Sequence, residues 1–385
     1  MIDFRYHLVS LISVFIALAV GIALGAGPLK ETIGDTLTGQ VSQLREEKDA
    51  MRVELDAAQA AVADNERYLE EVAGSLLDGA LAERRIAFVM LDDVPDGELA
   101  DLEASFVAAG ASVPTRVTLT ERWTSEEGQV FRSALAARLV EYLEPGIDLS
   151  ASADEILAAA LTQSIAGKDP ANPVARSANA EILGGLLSAE DGALVEAELS
   201  DGGPVDAVVV ISRPEVPAAA GTEEESSASP DQEAEARALE ARLRTQAAVV
   251  LAAQQRSDGA ILAADEYVDG GLVSFVRGSE EYAERLSTVT RFTTMSGRLS
   301  TVLGLGSRLA LRVGHYGFDP GADAAAAPRV ELPPVDRTPV FLPEAPDSQD
   351  PDGDGTGDDE GTDTDSGGDS AAGDEQSDDA DGGTG

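Results

Sequence analysis

The sequence predicts an α/β protein that is joined to a membrane by one N-terminal helix and a long coiled-coil helix. Three observations support this fold class: an uncharged segment, a heptad repeat directly behind it, and strand-like apolar runs that alternate with helical patterns farther along. We expect four regions: a membrane anchor over residues 1–30, a coiled coil over 31–80, a three-layer domain with a mostly parallel sheet over 84–318, and a disordered tail over 319–385 that is rich first in Pro and then in Asp and Gly.

Residues 8–27 form the predicted membrane helix. These 20 residues carry no charge. As an α-helix they span roughly 30 Å, which matches the hydrocarbon core of a bilayer. Small residues recur at every fourth position on one helix face and include a GxxxG spacing, which lets two membrane helices approach closely. The spacing predicts a membrane dimer face, although small residues are also common in membrane helices that do not pair. The face comprises Ser13, Ala17, Gly21 and Gly25.

A cleaved signal peptide is the alternative interpretation of this segment. Cleavage after Gly25 would fit the small-residue rule, but the apolar stretch is longer than the usual length of about 7–15 residues. We favour an uncleaved anchor, because the heptads that follow fit a tethered rod. Arg5 and the α-amino group favour an N-terminus in the cytoplasm. The sequence therefore predicts a single-pass protein of the cytoplasmic membrane with the bulk of its chain on the extracytoplasmic side.

The heptad repeat begins at Leu37. Ten of the twelve positions reached by steps of four and three are apolar; the exceptions, Lys48 and Asn65, are residue types that fix the register of a coiled coil. In a parallel homodimer, Glu47 and Arg52 would pair opposite charges between the copies. The alternative is a helix that packs on its own domain. The predicted coiled-coil seam comprises Leu37, Val41, Leu44, Met51, Leu55, Val62, Leu69, Val72 and Leu76.

Beyond residue 84 the pattern changes to strands interleaved with helices. An apolar run over residues 86–91, a helical pattern over 98–109 and a second run over 113–119 make a β–α–β unit, which predicts a parallel sheet. Pro114 indicates that the second strand is an edge strand or begins there. Further strand candidates are residues 205–211, 247–253 and 286–290, of which 247–253 is equally compatible with the end of the preceding helix.

The composition limits the classes of function. The formal net charge is −44, and 16 acidic residues lie between Glu344 and Asp381, where no Lys or Arg offsets them. This charge argues against nucleic acid as a partner, because phosphate contacts require Lys and Arg. The chain has no Cys, which excludes disulfides and cysteine–metal sites. A tail with one sign of charge and few apolar residues is expected to be disordered.

Few residues have the pattern of an enzyme or cofactor site. Asp92 and Asp93 follow the first predicted strand, where an open α/β sheet places its site, yet the sequence there, DDVPDGE, lacks the glycine-rich turn that binds phosphate. We interpret the two carboxylates as loop or cap residues in preference to a catalytic pair. His315, within GHYG just past a helix, is assigned a structural role, because no nucleophile motif accompanies it. The sequence predicts no enzyme activity, no cofactor and no metal site.

Four stretches of the sequence resemble a known family. They are IDFRYHLVSLISVFIALAVGIALGAGPL at the N-terminus, the heptads behind it, LSTV at residues 286–289 and GHYG at 314–317. They resemble the mycobacterial copper transport protein B (MctB) family of actinobacteria, also described as a SteB-like cell-separation protein, over residues 1–317. The family label implies an envelope location and copper homeostasis or efflux. The SteB description implies a coiled-coil membrane protein that works with a SteA-like membrane partner in regulating peptidoglycan hydrolysis during cell division.

The residues favour the second of these two roles. Copper(I) prefers soft Cys and Met ligands, whereas this chain has no Cys, two His and four Met, which are far apart in sequence. One membrane helix also forms no pore without oligomerising. We therefore predict a non-enzymatic, homodimeric scaffold of the cell envelope that acts in processes such as cell separation, with copper transport or copper homeostasis as the alternative.

Overall fold

A computed structural model describes residues 4–26, 28–146, 150–189, 192–199, 203–213 and 230–339. Two long helices come first, and an α/β domain follows. The helices are α1 (Phe4–Ala26), α2 (Pro28–Leu77), α3 (Asp96–Ala108), α4 (Gln129–Leu139), α5 (Ala153–Ala166), α6 (Ala178–Leu187), α7 (Pro230–Arg256), α8 (Leu272–Gly278), α9 (Glu280–Ala283) and α10 (Met295–Leu309). The strands are β1 (Arg85–Met90), β2 (Ser112–Leu119), β3 (Lys168–Asp169), β4 (Asn172–Arg176), β5 (Val195–Leu199), β6 (Ala207–Ser212), β7 (Gly259–Ala264), β8 (Ser287–Thr290) and β9 (His315–Tyr316).

A seven-stranded sheet in the order β5-β2-β1-β6-β7-β8-β9 forms the centre of the domain. Its pairings are parallel except that of β2 with β5. Successive residues of β1 face opposite sides. Ala87 and Val89 join a core with α4, α5 and α7, whereas Ile86 and Phe88 join a second core with α3, α10 and the end of α2. The prediction of an α/β domain with a mostly parallel sheet is confirmed, and helices cover both faces, as such a sheet requires.

Two ambiguous features of the sequence are resolved by this sheet. Residues 247–253 lie inside α7, and their apolar side chains pack against the sheet, so the strand candidate there was wrong. The strand is β7, which begins at Gly259 soon after α7 ends and which the sequence analysis missed. Pro114 precedes the residues of β2 that pair with β5, so it marks the start of a strand and not the edge of the sheet.

The sequence analysis also missed the short and the polar strands. β5, with the sequence VEAEL, lies at one edge of the sheet, and β9 has two residues at the other. β3 and β4 form a separate antiparallel hairpin, which the sequence analysis did not predict. Such segments bury few apolar side chains, so hydrophobic periodicity provides little signal for them.

Helix α2 is exposed over most of its length and packs on the domain only near its end. Leu44 and Leu55 are 64% and 56% exposed, whereas Ala73 and Leu77 are buried in the second core. The alternative of a helix that packs on its own domain therefore holds only for the last turns of α2. The coiled coil itself stays a prediction.

Residues 319–339, which the sequence analysis assigned to the tail, lie against the domain. Ala327 is buried in the second core, and Arg84 Nη2 donates a hydrogen bond to the Pro333 carbonyl oxygen at 3.0 Å. Prolines keep this C-terminal segment without regular secondary structure, yet side chains of the domain hold its backbone. Residues 340–385, with the acidic run, lie outside the described residues.

Candidate functional site

The parallel strands have a topological switch point between β1 and β6. From β1 the chain proceeds to β2 on one side, and later strands are added on the other side, beginning with β6. In open α/β sheets, ligands bind outside the carboxyl ends of the strands at such a point. Asp92 follows β1 closely, Ser212 ends β6, and Arg213 comes next. Three polar residues therefore meet where this class of fold builds its sites.

Asp92 is the centre of a hydrogen-bond network at this point. Its Oδ2 atom accepts hydrogen bonds from Ser212 Oγ at 3.2 Å and from the backbone N–H of Arg213 at 2.9 Å. Its Oδ1 atom accepts one from Arg242 Nη2 at 3.1 Å. Burial raises the pKa of the Asp92 carboxyl, and these contacts oppose the rise. The carboxylate thereby joins the loop after β1 to the end of β6 and to α7.

Arg213 connects two further carboxylates to the network. Its Nη2 atom lies 2.7 Å and 2.8 Å from the two carboxylate oxygens of Glu98, and 3.4 Å from Asp265 Oδ2. Thr293 Oγ1 donates to Asp265 Oδ1 at 2.8 Å. Both arginines of the network are thus paired with carboxylates, so the cleft offers no surplus of positive charge to an anion.

A small cavity of about 40 Å³ opens beside the network. One wall is a face of α7 formed by Leu239, Leu243 and Gln246, whose spacing of three and four places them together. Gly270 and Gly271, in the loop before α8, form another wall. The cavity is therefore mainly apolar with a polar edge, but it is much smaller than a typical small-molecule site, which measures roughly 300–1,000 Å³.

The sequence analysis found Asp92 but missed the residues around it. Ser212 and Arg213 directly follow the third predicted strand, so the rule that led to Asp92 would also have found them. Arg242 and Gln246 are separated by one helical turn on α7. Nothing in the sequence indicates which strand that turn faces.

Asp93 does not share the site of Asp92. It is exposed and borders a separate groove with Thr118 and Glu196. The two carboxylates that adjoin in sequence therefore face different surroundings and do not form a joint site.

His315 belongs to a network within the fold. Its Nδ1 atom lies 3.0 Å from Thr288 Oγ1, and its Nε2 atom lies 3.2 Å from the Ala283 carbonyl oxygen. Arg277 Nε donates to Thr288 Oγ1 at 2.9 Å. A neutral ring with its proton on Nε2 satisfies all three contacts. Burial and the Arg277 charge lower the pKa of His315, which favours that form. The imidazole thus fixes the edge strand β9, as a structural residue does.

The predicted seam lies along the free length of α2. Its side chains from Leu37 to Val62 are between 40% and 66% exposed. Leu69 and Val72 are half-buried beside the domain, and Leu76 is 41% exposed. A row of exposed Leu, Val and Met side chains on a single helix is an apolar surface that has no cover within the described chain.

The predicted membrane dimer face lies on α1. Helix α1 contains all four residues, and Ser13 Oγ bonds to the Val9 carbonyl oxygen at 2.8 Å, which satisfies its hydroxyl within the helix. A Cβ atom built at Gly21 would meet no atom within 4 Å, so this face is open. Residues Phe4–Leu24 are apolar and long enough to cross a membrane, and none of this stretch is buried.

Acidic and histidine side chains do not gather into a metal site in the described residues, where no group of three or more could hold an ion.

The comparison with protein families is more informative. The family model described as "Copper transport outer membrane protein, MctB" matches residues 1–327. The chain belongs to the MctB family. The match covers both long helices and the α/β domain, so the family resemblance is confirmed, and the N-terminal helix fits a single-pass envelope protein.

Mycobacterial members of the MctB family are similar to the chain over nearly their whole length. The copper transporter MctB of Mycobacterium tuberculosis (strain ATCC 25618 / H37Rv) is 26% identical over 340 residues, which are 84% of this chain and 98% of the relative. The copper transporter MctB of Mycobacterium bovis (strain ATCC BAA-935 / AF2122/97) gives the same values. That of Mycobacterium leprae (strain TN) is 24% identical over 341 residues, which are 86% of this chain and 100% of the relative.

Proposed function

We propose that the chain is a non-enzymatic, single-pass scaffold of the cell envelope. In this proposal two copies pair through α2 as a parallel coiled coil and carry their α/β domains on a common rod. The exposed apolar seam of α2 supports the proposal more than any other observation, because a lone helix gains nothing by presenting such a row to water. The N-terminus would lie in the cytoplasm and the domains on the extracytoplasmic side.

The charges beside the seam favour a parallel arrangement of two copies. Glu47 and Arg52 occupy successive g and e positions of the heptad frame, where opposite charges on two parallel helices meet. A parallel arrangement also agrees with α1, because two tethered copies enter the membrane on the same side. The open face at Gly21 would then let the two membrane helices approach each other.

Cell separation is the process that we propose for the scaffold, with a SteA-like membrane protein as its partner. The family resemblance implies this role, and the architecture suits it, because a rod and a domain offer long surfaces for another protein. Pull-down of the full-length protein from its own membranes, followed by identification of the co-purified proteins, tests this step. Recovery of copper chaperones in place of a SteA-like protein would contradict it.

The homodimer is tested by replacing Leu44 and Leu55 together by Ala in the full-length protein. The double variant removes four large side chains per dimer, each worth about 2–5 kcal/mol if well packed. We expect the dimer measured by light scattering in detergent to dissociate at micromolar concentration. Val53→Ala is the matched control, because Val53 is 70% exposed but lies off the seam. A wild-type protein that is monomeric at high concentration would exclude the homodimer.

The membrane helices are tested separately by Gly21→Ile together with Gly25→Ile. Added bulk on this face should weaken association of the membrane segment, because it keeps the two backbones apart. A membrane two-hybrid assay of residues 1–30 measures the effect. Unchanged association would assign the pairing in the membrane to another face of α1.

Copper transport is the second candidate function. The name of the family and the names of the mycobacterial relatives favour it. The sequence offers no Cys and only two His as ligands, and copper(I) prefers soft ligands. We therefore expect copper(I) binding no tighter than micromolar in competition with a chelator. Stoichiometric binding that is tighter would reverse the order of the two candidates.

A further inference from the structure

We propose that the chain binds a small zwitterion of the amino-acid or short-peptide class in a cavity at the amino-terminal edge of the sheet. The cavity measures about 570 Å³, which is in the range of small-molecule sites. Val205, just before β6, and Asp258, just before β7, mark its place at the end of the strands opposite Asp92. The proposal is independent of the coiled coil, because it rests on the α/β domain alone.

The wall of this cavity is held together by a buried amide. The lining comes from the loop after α4, from the end of α5 with β3, and from the end of α7. Gln163, which is 2% exposed, joins these segments. Its Oε1 atom accepts hydrogen bonds from the backbone N–H of Glu144 at 2.8 Å and from Arg256 Nη1 at 3.3 Å, and its Nε2 atom donates to the Tyr142 carbonyl oxygen at 2.9 Å. The fold therefore fixes the positions of Glu144 and Arg256 at the cavity.

Arg256 and Glu144 give the cavity two opposite charges that do not pair with each other. No carboxylate of the described residues forms an ion pair with Arg256, whose guanidinium contacts Gln163 Oε1 and, at 3.5 Å, the Glu144 carbonyl oxygen. Burial lowers the pKa of Arg256, and the nearby Glu144 charge opposes this change. The Glu144 side chain is itself exposed and accepts no hydrogen bond from the described chain. A ligand between the two groups would pair both charges.

The remaining charges of the cavity define the class of ligand. Lys168 Nζ is already paired, because it lies 3.4 Å from Asp206 Oδ1 and 3.5 Å from Asp258 Oδ2. A phosphate dianion would meet the carboxylates of Glu144 and Asp258, and a simple cation would meet Arg256. A molecule that offers a carboxylate to Arg256 and an ammonium group to Glu144 satisfies both. The C-terminal ends of α5 and α7, which line the cavity, also favour an ammonium group.

Isothermal titration calorimetry of the full-length protein in detergent tests the proposal, with alanine and trialanine as probes. We expect at least one of them to bind with a Kd below about 1 mM. Tighter binding of alanine would identify a free amino acid as the source of the zwitterion, and tighter binding of trialanine would identify a peptide. The N-acetyl form of the probe has no ammonium group and its C-terminal amide has no carboxylate, so each should bind at least about tenfold more weakly. Failure of both probes to bind below about 1 mM, or equal binding by either blocked form, would overturn the proposal.

Glu144→Gln tests the position of the ammonium group. It should weaken binding of the zwitterion by about tenfold. Binding of the N-acetyl form should stay unchanged, because that form has no ammonium group for the carboxylate to pair with. Glu127→Gln, at an exposed glutamate just before α4, is the matched control and should bind the zwitterion as the wild type does. Equal binding of the zwitterion by Glu144→Gln and the wild type would overturn the proposal.

Melting temperatures separate binding from folding. Without ligand, Glu144→Gln should melt as Glu127→Gln does, because both glutamates are exposed. With the zwitterion present, the wild type should melt at a higher temperature than Glu144→Gln, since it binds the ligand more tightly. A ligand-free Glu144→Gln protein that melts below the control would show that Glu144 already has a partner in the fold and would overturn the proposal.

Discussion

Helix α2 carries apolar side chains in two different environments. Near its end, Ala73 and Leu77 are 8% and 1% exposed and pack in the core with α3 and α10. Farther upstream, Leu44 and Leu55 are 64% and 56% exposed. The residue types are alike, so the difference lies in what covers them. The α/β domain covers the end of the helix, and no described part of the chain covers the rest.

The two stretches also use different faces of the helix. Leu69, Ala73 and Leu77 face the domain and are spaced by four, whereas the seam passes from Leu69 through Val72 to Leu76. Leu76 remains 41% exposed although its neighbour Leu77 is buried. The seam shares Leu69 with the face that packs on the domain and diverges from it towards Leu76, so the room for a second helix lies upstream of Leu69 along the exposed part of α2.

The sharpest test of this difference compares Leu77→Ala with Leu44→Ala. Leu77→Ala should destabilise the α/β domain by about 2–5 kcal/mol, because it leaves a cavity in a packed core. Leu44→Ala should leave the domain unchanged and affect only self-association. The single Trp of the chain, Trp123, is 1% exposed inside the domain, so its fluorescence reports unfolding of the domain in denaturant. Equal losses of domain stability in the two variants would show that the two stretches of α2 do not differ in their packing on the domain.

The C-terminal segment is fixed to the domain by a cluster of charged groups around Asp206. Arg337 Nη2 donates to the Oδ2 atom of the fully buried Asp206 at 2.9 Å, and the same oxygen accepts the backbone N–H of Arg85 at 2.9 Å. Lys168 Nζ lies 3.4 Å from the other carboxylate oxygen. This cluster joins the C-terminal segment to the amino-terminal ends of β1 and β6, opposite the cleft at Asp92.

Arg337→Ala should destabilise the domain by about 2 kcal/mol, because it removes one partner of a buried carboxylate. We place the effect below the range for a fully buried pair, since Arg337 is partly exposed and Lys168 remains. Denaturant unfolding followed by Trp123 measures it. Arg312→Ala, at an exposed arginine just after α10, is the control. A loss of stability no larger than that of the control would mean that the contact of Arg337 with Asp206 does not stabilise the domain.

Hydrophobic pattern predicted the central architecture and failed at its margins. The runs at β1 and β6 are buried on both faces, so their continuous apolar sequence revealed them. β7 was missed because the apolar end of α7 lies just before it and has the same composition. The C-terminal segment was assigned to the tail because prolines and acidic residues dominate it. Its contacts depend on Arg329 and Arg337, and a sequence pattern does not show where single arginines bind.

Sequence patterns were similarly unable to identify the residues that surround Asp92. Asp92 was recognised by its place after a strand, but its partners come from β6 and α7, more than a hundred residues away. No local spacing links such residues. The order of the strands in the sheet, which brings β6 beside β1, decides the composition of the cleft.

Arg329→Ala should cost less stability than Arg337→Ala, about 1 kcal/mol, and should loosen only the end of α2. Arg329 donates hydrogen bonds to the carbonyl oxygens of Ser75 at 3.2 Å, Leu76 at 3.1 Å and Asp78 at 2.6 Å. The last turn of α2 has no basic residue of its own, so a distant arginine supplies the positive charge. Hydrogen exchange should become faster at the end of α2. Faster exchange throughout the domain, without a local change there, would contradict this role.

The smallest effect that we expect is a pH dependence that arises from His315. Burial and the Arg277 charge hold its pKa below the ordinary value of about 6.5. As the pH falls, the unfolded chain therefore binds this proton before the folded chain does. The stability that the neutral ring contributes is present above about pH 6.5 and is lost as the pH falls below it towards the folded pKa.

His315→Gln should consequently make the melting temperature, followed by Trp123, less sensitive to pH below about 6.5. Three other groups face the ring besides Arg277: Thr288 Oγ1 beside Nδ1, the Ala283 carbonyl oxygen, which accepts from Nε2, and Asp323, whose carboxylate opposes the lowering of the pKa. His7→Gln is the matched control, because His7 lies in α1, away from the domain, and is the only other histidine. If the two variants respond to pH in the same way, carboxylates and not His315 govern the stability of the domain in this range. The edge strand β9 would then be held by its backbone pairing with β8 and not by the charge state of the ring.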